Sequence, residues 1–215
     1  MTTGAWVLLV VATGFAVGDW VSRVHSPPPG SISRLEYVCK PGTLVALIGV
    51  ALLVDPTHAD ERTWFVVALV LSLAGDVFLM LPSDRFVAGL ASFLLAHVAY
   101  VVGLNLHTDG NWWWAVPVAV VVGLLGVRLV RGIRRSGASE LVAPVVVYVV
   151  VIAAMGISAL ASGNRWAAVG AVLFMGSDAL IGETRFVRPA AWAPVAIMVT
   201  YHLGQAGLVL SLVWS

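Results

Sequence analysis

The chain reads as an all-α, polytopic membrane protein with eight transmembrane helices and one membrane domain covering residues 1–215. Three observations predict this. First, 60% of the residues are hydrophobic and 11% charged, with mean hydropathy +0.97, whereas a soluble domain carries about 25% charged residues. Second, apolar stretches of membrane-spanning length recur from end to end. Third, ten of the twelve basic residues gather at alternate connections.

The spans fall at about 4–22, 37–54, 63–81, 86–106, 112–130, 141–161, 165–182 and 192–214. The first contains Asp19 and ends in Trp20-Val21-Ser22-Arg23. It lacks a basic leader and a nearby small-residue cleavage site, so it reads as a retained helix. The polar connection from Ser22 to Glu36 is only a loop, turned by Pro27–Gly30. Asp55-Pro56 closes the second span, Leu81-Pro82-Ser83-Asp84 the third, and Asp109-Gly110-Asn111 separates the fourth from the fifth. Pro117, Pro144 and Pro194 occupy early helical turns, where proline is tolerated. The single Cys39 excludes an internal disulfide.

Eight spans put both termini on one side. Arg23, Arg34, Lys40, Arg85, Arg128, Arg131, Arg134, Arg135, Arg185 and Arg188 gather at one set of helix ends, against Arg62 and Arg165 at the other. The positive-inside rule then makes the termini extracytoplasmic. Trp6, Trp64, Trp112–Trp114, Trp166 and Trp214 fall at the outer ends, and Trp20 and Trp192 at the inner ends, as an aromatic belt requires. The basic stretch Arg128–Arg135 is accounted for by topology and contact with anionic membrane lipids. The net charge of +1 gives no argument for nucleic acid.

Two carboxylates lie inside apolar runs that read alike, Asp76 in LSLAGDVFLM and Asp178 in LFMGSDALIG, each followed by Arg-Phe-Val at Arg85–Val87 and Arg185–Val187. A carboxylate at a helix centre costs roughly 2.5–3.5 kcal/mol on insertion scales, so such groups mark function more often than structure. The two copies are four helices apart, which suggests a 4+4 parallel internal repeat with the two aspartates at one depth. Two carboxylates in different surroundings can divide acid and base roles; the plain alternative is ion pairing to Arg, Lys or a helix end. Asp19 stands at i−4 from Arg23 and suits a surface ion pair.

His97 and Tyr100 share one helix face, as do Tyr201 and Gln205, with His202 offset. Together they are candidates to bind a polar head group or orient water, or else to bond helix to helix. Lys40, before Pro41 at an expected helix start, suits a phosphate or a neighbouring carboxylate. A metal is not expected, because no His-x-x-x-His or cysteine cluster exists. No cofactor is indicated, and no G-x-S-x-G nucleophile elbow is present.

Lys40-Pro41, SLAGDVFLM at 72–80, FVAGLASFLLAHVAY at 86–100, LFMGSDALI at 173–181 and TYHLGQ at 200–205 together resemble the YhhN-like family of integral membrane proteins, which includes animal lysoplasmalogenases. The family pattern commonly has a second aromatic where His202 stands. The resemblance implies hydrolysis of the vinyl ether of a lysophospholipid to a fatty aldehyde and a glycerophospho-base, with Asp76 and Asp178 as the catalytic pair and a slight preference for Asp178 as acid. The Ala-, Val- and Arg-rich, Lys-poor composition suggests a bacterial plasma membrane. The competing reading is a transporter or lipid-binding membrane protein. That reading calls for polar groups along the full depth, whereas here they stop near the midplane. Gly103, Gly123 and Gly126 serve packing within or between chains equally well, so the oligomeric state stays open.

Overall fold

The computed structural model describes residues 1–24, 33–83, 85–108 and 110–214. The turns expected at Pro27–Gly30, at Asp84 and at Asp109 lie outside the described residues. Eight helices follow one another: α1 (Thr3–Val24), α2 (Arg34–Leu53), α3 (Ala59–Met80), α4 (Phe86–Asn105), α5 (Ala115–Arg135), α6 (Val142–Ala161), α7 (Arg165–Phe186) and α8 (Ala193–Leu210). Single 3-10 turns at Trp112–Trp114 and Ser139–Leu141 lead into α5 and α6. All eight helices are long and apolar enough to cross a membrane. Exposed Val10, Leu52, Val116 and Leu124 therefore face the place where lipid belongs.

Several helix ends depart from the sequence expectation, each for a local reason. α2 begins at Arg34 rather than 37, because Ser33 and Glu36 form a capping box: the Ser33 hydroxyl accepts from the Glu36 N–H and Glu36 accepts from the Ser33 N–H. Lys40 consequently stands inside α2 and not at its start, with Pro41 also in the helix interior. α3 starts at Ala59, so Asp60 and Glu61 sit in its first turn, where acidic side chains suit the helix dipole. α5 and α7 run on past their expected ends, to Arg135 and Phe186, with Arg134, Arg135 and Arg185 in their last turns. Hydropathy alone reads those charged turns as loop. α8 stops at Leu210, and turn residues follow.

The helices pack as close sequential hairpins, α1 with α2, α3 with α4 and α7 with α8, while α4 against α6 ties the front of the chain to the back. Phe65, Leu69, Leu44, Leu47, Tyr100, Phe174 and Leu208 form the centre of the buried core. α5 is peripheral: it touches only α6 and α7 among the helices, and Gly132 and Ile133 are its only buried residues. Trp6 and Trp166 both pack on Trp214, with centroids 6.1 and 5.5 Å apart, so α1, α7 and the end of α8 share one rim.

Glycine permits the closest approach. A Cβ on Gly170 of α7 would lie 2.6 Å from the Leu208 backbone nitrogen and 2.8 Å from the Gly204 carbonyl of α8. One on Gly204 would lie 2.9 Å from both the Gly170 carbonyl and the Phe174 nitrogen. Backbone meets backbone there, as at other small-residue crossings in membranes. Of the three glycines noted in the sequence, Gly103 packs on Phe65 and Trp64 within the chain, Gly126 has Val149 at 3.8 Å, and Gly123 has open space around it. Gly170→Leu is expected to force α7 from α8 and destabilise the fold by about 1–3 kcal/mol or more, seen as earlier thermal unfolding in detergent. Gly123→Ala should leave the unfolding temperature equal or higher, since nothing opposes its methyl.

Candidate active site

Asp76 is buried at 1% exposure, one turn before the end of α3. Its two oxygens are taken from different helices. Lys40 Nζ of α2 lies 2.9 Å from Oδ1, and the Tyr201 hydroxyl of α8 donates to Oδ2 at 2.7 Å. Lys40 is the only lysine in the sequence. It spends its charge on a carboxylate inside the bundle, where breaking a pair costs far more than at a surface. Of the two partners the sequence suggests for Lys40, a phosphate or a neighbouring carboxylate, the structure shows the carboxylate, because its placement within α2 aims it at α3.

Asp178 has different company. Its side chain is 13% exposed, and its Oδ2 accepts a short hydrogen bond from the Tyr148 hydroxyl of α6. His97 Nε2 of α4 stands 3.8 Å from the same oxygen, beyond hydrogen-bond reach. Asp76 and Asp178 thus sit among different partners. Between them lies an aromatic wall. Phe174 packs edge-on against both His97 and Tyr201, at 4.8 and 5.3 Å between centroids, and Phe93 packs on both Phe174 and Tyr201. His97 also packs edge-on against Tyr148, at 5.3 Å.

The remaining expected site residues divide. The Tyr100 hydroxyl donates to Gln205 Oε1 at 2.6 Å, linking α4 to α8 beside Tyr201. His202 points to α1, accepting at Nδ1 from the Trp20 indole N–H at 3.1 Å, and is not joined to Asp178. Within this buried region Ser72 Oγ, both nitrogens of His97, Gln205 Nε2 and His202 Nε2 have no hydrogen-bond partner. Among the described residues no group of three or more His, Cys, Asp and Glu is placed to hold a metal ion.

Asp19 forms the ion pair with Arg23 that its spacing suggests, but not at a surface. It is fully buried, bound by Arg23 Nε at 3.0 Å and Nη2 at 3.2 Å, and Arg23 Nη2 also reaches Glu36 at 3.3 Å. This network ties α1 to the first turn of α2. Tyr148, absent from the sequence-based candidates, is the direct partner of Asp178. Its only sequence signal is a lone hydroxyl within the apolar run VVVYVVV at 145–151.

Asp178 and Tyr148 open onto a cavity of about 1030 Å³ bounded by α5, α6 and α7, with Leu79 of α3 and Leu90 and Phe93 of α4 along one side. Asp76 does not line it. The lining runs from Trp114, just before α5, through Pro117 to Arg128 and Leu129 on α5, and apart from Arg128 it is apolar along that helix. The arrangement is a long greasy slot with two carboxyl groups on its wall, Asp178 bonded to Tyr148 and Glu183 neutralised by Arg128, and the Lys40–Asp76 ion pair outside its lining.

Lys40→Met leaves a buried carboxylate without its cation and is expected to cost about 3–5 kcal/mol. Lys40→Met with Asp76→Leu removes both charges and should lose clearly less, measured as reversible unfolding in detergent. Equal losses in the single and double variants would contradict a mutual pair.

Residues 35–212 match the model of the YhhN family. A lysoplasmalogenase of Mycobacterium bovis is 33% identical over 217 residues, covering 95% of this chain and 82% of its own length. A lysoplasmalogenase of Homo sapiens is 32% identical over 149 residues, covering 67% of this chain and 61% of its own. An uncharacterized membrane protein of Escherichia coli, named YhhN, is 28% identical over 88 residues, 40% of this chain and 41% of that one. No solved structure matches the chain. The eight apolar helices, the family match over residues 35–212 and the mycobacterial similarity over 95% of the chain lead to one conclusion: the chain is a multi-pass integral membrane protein that belongs to the YhhN family.

Proposed function

We propose that this protein hydrolyses the vinyl ether bond of a lysoplasmalogen-like lysophospholipid, releasing a fatty aldehyde and a glycerophospho-base. One observation carries the reading: a carboxyl group, Asp178, stands on the wall of an apolar slot long enough for an alkenyl chain. Along α5 and the turn before it the slot runs from Trp114 to Leu129, or roughly 22 Å at 1.5 Å per residue. The names of the mycobacterial and human relatives support the same chemistry.

Vinyl ether cleavage begins by adding a proton to the alkene carbon remote from oxygen, which leaves an oxocarbenium ion at the carbon bonded to oxygen. Asp178 is the acid in this reading. Tyr148 holds one of its oxygens and fixes the direction of the other. Once it has lost the proton, the Asp178 carboxylate lies beside the cation and can take a proton from the water that adds there, as an acid that turns base in the second step does elsewhere. The resulting hemiacetal collapses to the aldehyde and the free glycerol hydroxyl. Asp76 acts from behind the wall. Lys40 and Tyr201 keep it ionised and fixed, so that its field favours positive charge in the slot. The unmatched nitrogens of His97 are placed to orient the water, and Phe93 and Phe174 keep bulk solvent away.

The 4+4 repeat and the topology belong to this proposal too. Asp76 of α3 bonds to Tyr201 of α8, while Asp178 of α7 faces His97 of α4, a crossed pattern that a parallel repeat would produce. Both termini are taken as extracytoplasmic in a bacterial plasma membrane, with the basic ends of α5 and α7 inside. A cysteine placed at Ser136 should then react with impermeant maleimide in inverted vesicles and not in intact cells.

A transporter accounts less well for a slot on which Asp178 is the one carboxyl group not paired with a cation, Glu183 being held by Arg128. Asp178→Asn is expected to reduce aldehyde release by about 10³-fold or more, and Tyr148→Phe by about 10-fold, with the protein still folded. Asp76→Asn should lower turnover strongly without exposing the slot. Mass spectrometry of aldehyde from a defined lysoplasmalogen gives the readout, and full activity in Asp178→Asn would remove the proposal.

A further inference from the structure

A second cavity, of about 640 Å³, lies at the basic end of α5 and is lined by Arg128, Arg131, Arg135, Ser136, Phe186 and neighbouring apolar residues. The three arginines follow at i, i+3 and i+7, so they project from one helix face. Their states differ. Arg128 is held by Glu183 of α7, with Nε donating to Oε2 at 2.8 Å and Nη2 to Oε1 at 2.5 Å. Arg131 and Arg135 are exposed, and no carboxylate among the described residues pairs with either. No acidic residue lines this cavity. Its floor is built by Gly132, where a Cβ would lie 2.6 Å from the Phe186 carbonyl, so α5 closes on the end of α7 and brings both free guanidinium groups over it.

The basic cavity and the apolar slot share Arg128 and Phe186 and so meet at those residues. Asp178 lies five residues, about 7.5 Å, along α7 from Glu183, the partner of Arg128. In a 1-alkenyl lysophospholipid the phosphorus and the vinyl ether oxygen are joined through three glycerol carbons, roughly 6 Å in extended form with bonds of about 1.5 Å. A lipid with its vinyl ether at Asp178 and its chain toward Trp114 therefore brings its phosphate to this cavity.

We propose that Arg131 and Arg135 form the phosphate-binding site for the substrate head group and select phosphorylated lysolipids over unphosphorylated alkenylglycerols. Guanidinium groups suit this task because their forked donors meet phosphate oxygens in pairs. Arg128, neutralised by Glu183, closes the joint between head group and chain. This inference rests on the proposed hydrolase reading, and it assigns the head group to the end of α5 and not to Lys40, whose charge is paired with Asp76.

The test uses the full-length protein in nanodiscs and two radiolabelled probes without a vinyl ether, 1-hexadecyl-glycerophosphoethanolamine and 1-hexadecylglycerol. The wild type is expected to hold the phosphorylated probe at least about 10-fold more tightly. R131Q/R135Q should abolish that difference, and R131K/R135K should restore part of it. The inference is overturned if R131Q/R135Q lowers thermal stability with the preference intact, which would make the arginines mere partners of the α7 C-terminus. It is equally overturned if inorganic phosphate alone, or phosphatidylglycerol vesicles alone, displace the phosphorylated probe as well as a lysophospholipid does, since the site would then serve free phosphate or bulk lipid. Because neither probe is cleavable, binding that follows the arginines alongside a failure to cleave authentic lysoplasmalogen would sink the hydrolase and keep the site. Cleavage with no preference for the phosphorylated probe would do the reverse.

Discussion

The ion pair between Lys40 and Asp76 is the interaction on which the rest of the arrangement depends. It joins α2 to α3 at 2.9 Å, and the Tyr201 bond at 2.7 Å brings α8 to the same carboxylate. Three helices thus converge on one charge at 1% exposure. Removing water from such a pair is expensive, and the attraction offsets that cost only when both partners are well placed and fully bonded. The contact is accordingly a strong constraint on register. A slide by one residue along α2 or α8 would leave a buried charge without its partner. The close glycine crossing of α7 and α8 then carries that register to α7 and so to Asp178.

Two aspartates in similar sequence settings end with different partners. Asp76 faces a cation and a phenol, sealed from the slot. Asp178 faces a phenol and a histidine and opens onto the slot. In the proposed reading the environment, not the residue type, separates a fixed charge from a group free to exchange a proton. The loosely packed α5 belongs to the same logic. A helix that touches only α6 and α7 leaves room for a lipid chain along its inner side, while its basic end stays near the mouth.

Much of this was legible in the sequence, and the gaps have physical causes. Hydropathy finds all eight spans, because apolar length is a property of the chain alone. The ends of α5 and α7 escape it, since their last turns carry Arg134, Arg135 and Arg185 and still continue the helix. The early start of α2 was readable as Ser33-Arg34-Leu35-Glu36, a capping-box pattern easily lost among loop residues. The cost of burying charge marked Asp76 and Asp178 as the centre of interest. That Lys40 belongs to Asp76 had a sequence signal in its being the sole lysine, but pairing across helices is decided by packing. Tyr148 and the crossing at Gly170 and Gly204 had almost none, because a lone hydroxyl or a glycine in an apolar run acquires meaning only from what lies opposite.

The central claim is that Asp178 holds the exchangeable proton while Asp76, paired with Lys40, stays a carboxylate. Infrared difference spectroscopy in H₂O and D₂O reads the two states directly, through the carbonyl stretch of a protonated carboxyl group in the apolar interior. The account predicts one such band that shifts in D₂O, disappears in Asp178→Asn and persists in Asp76→Asn. A band that persists in Asp178→Asn and disappears in Asp76→Asn would contradict it.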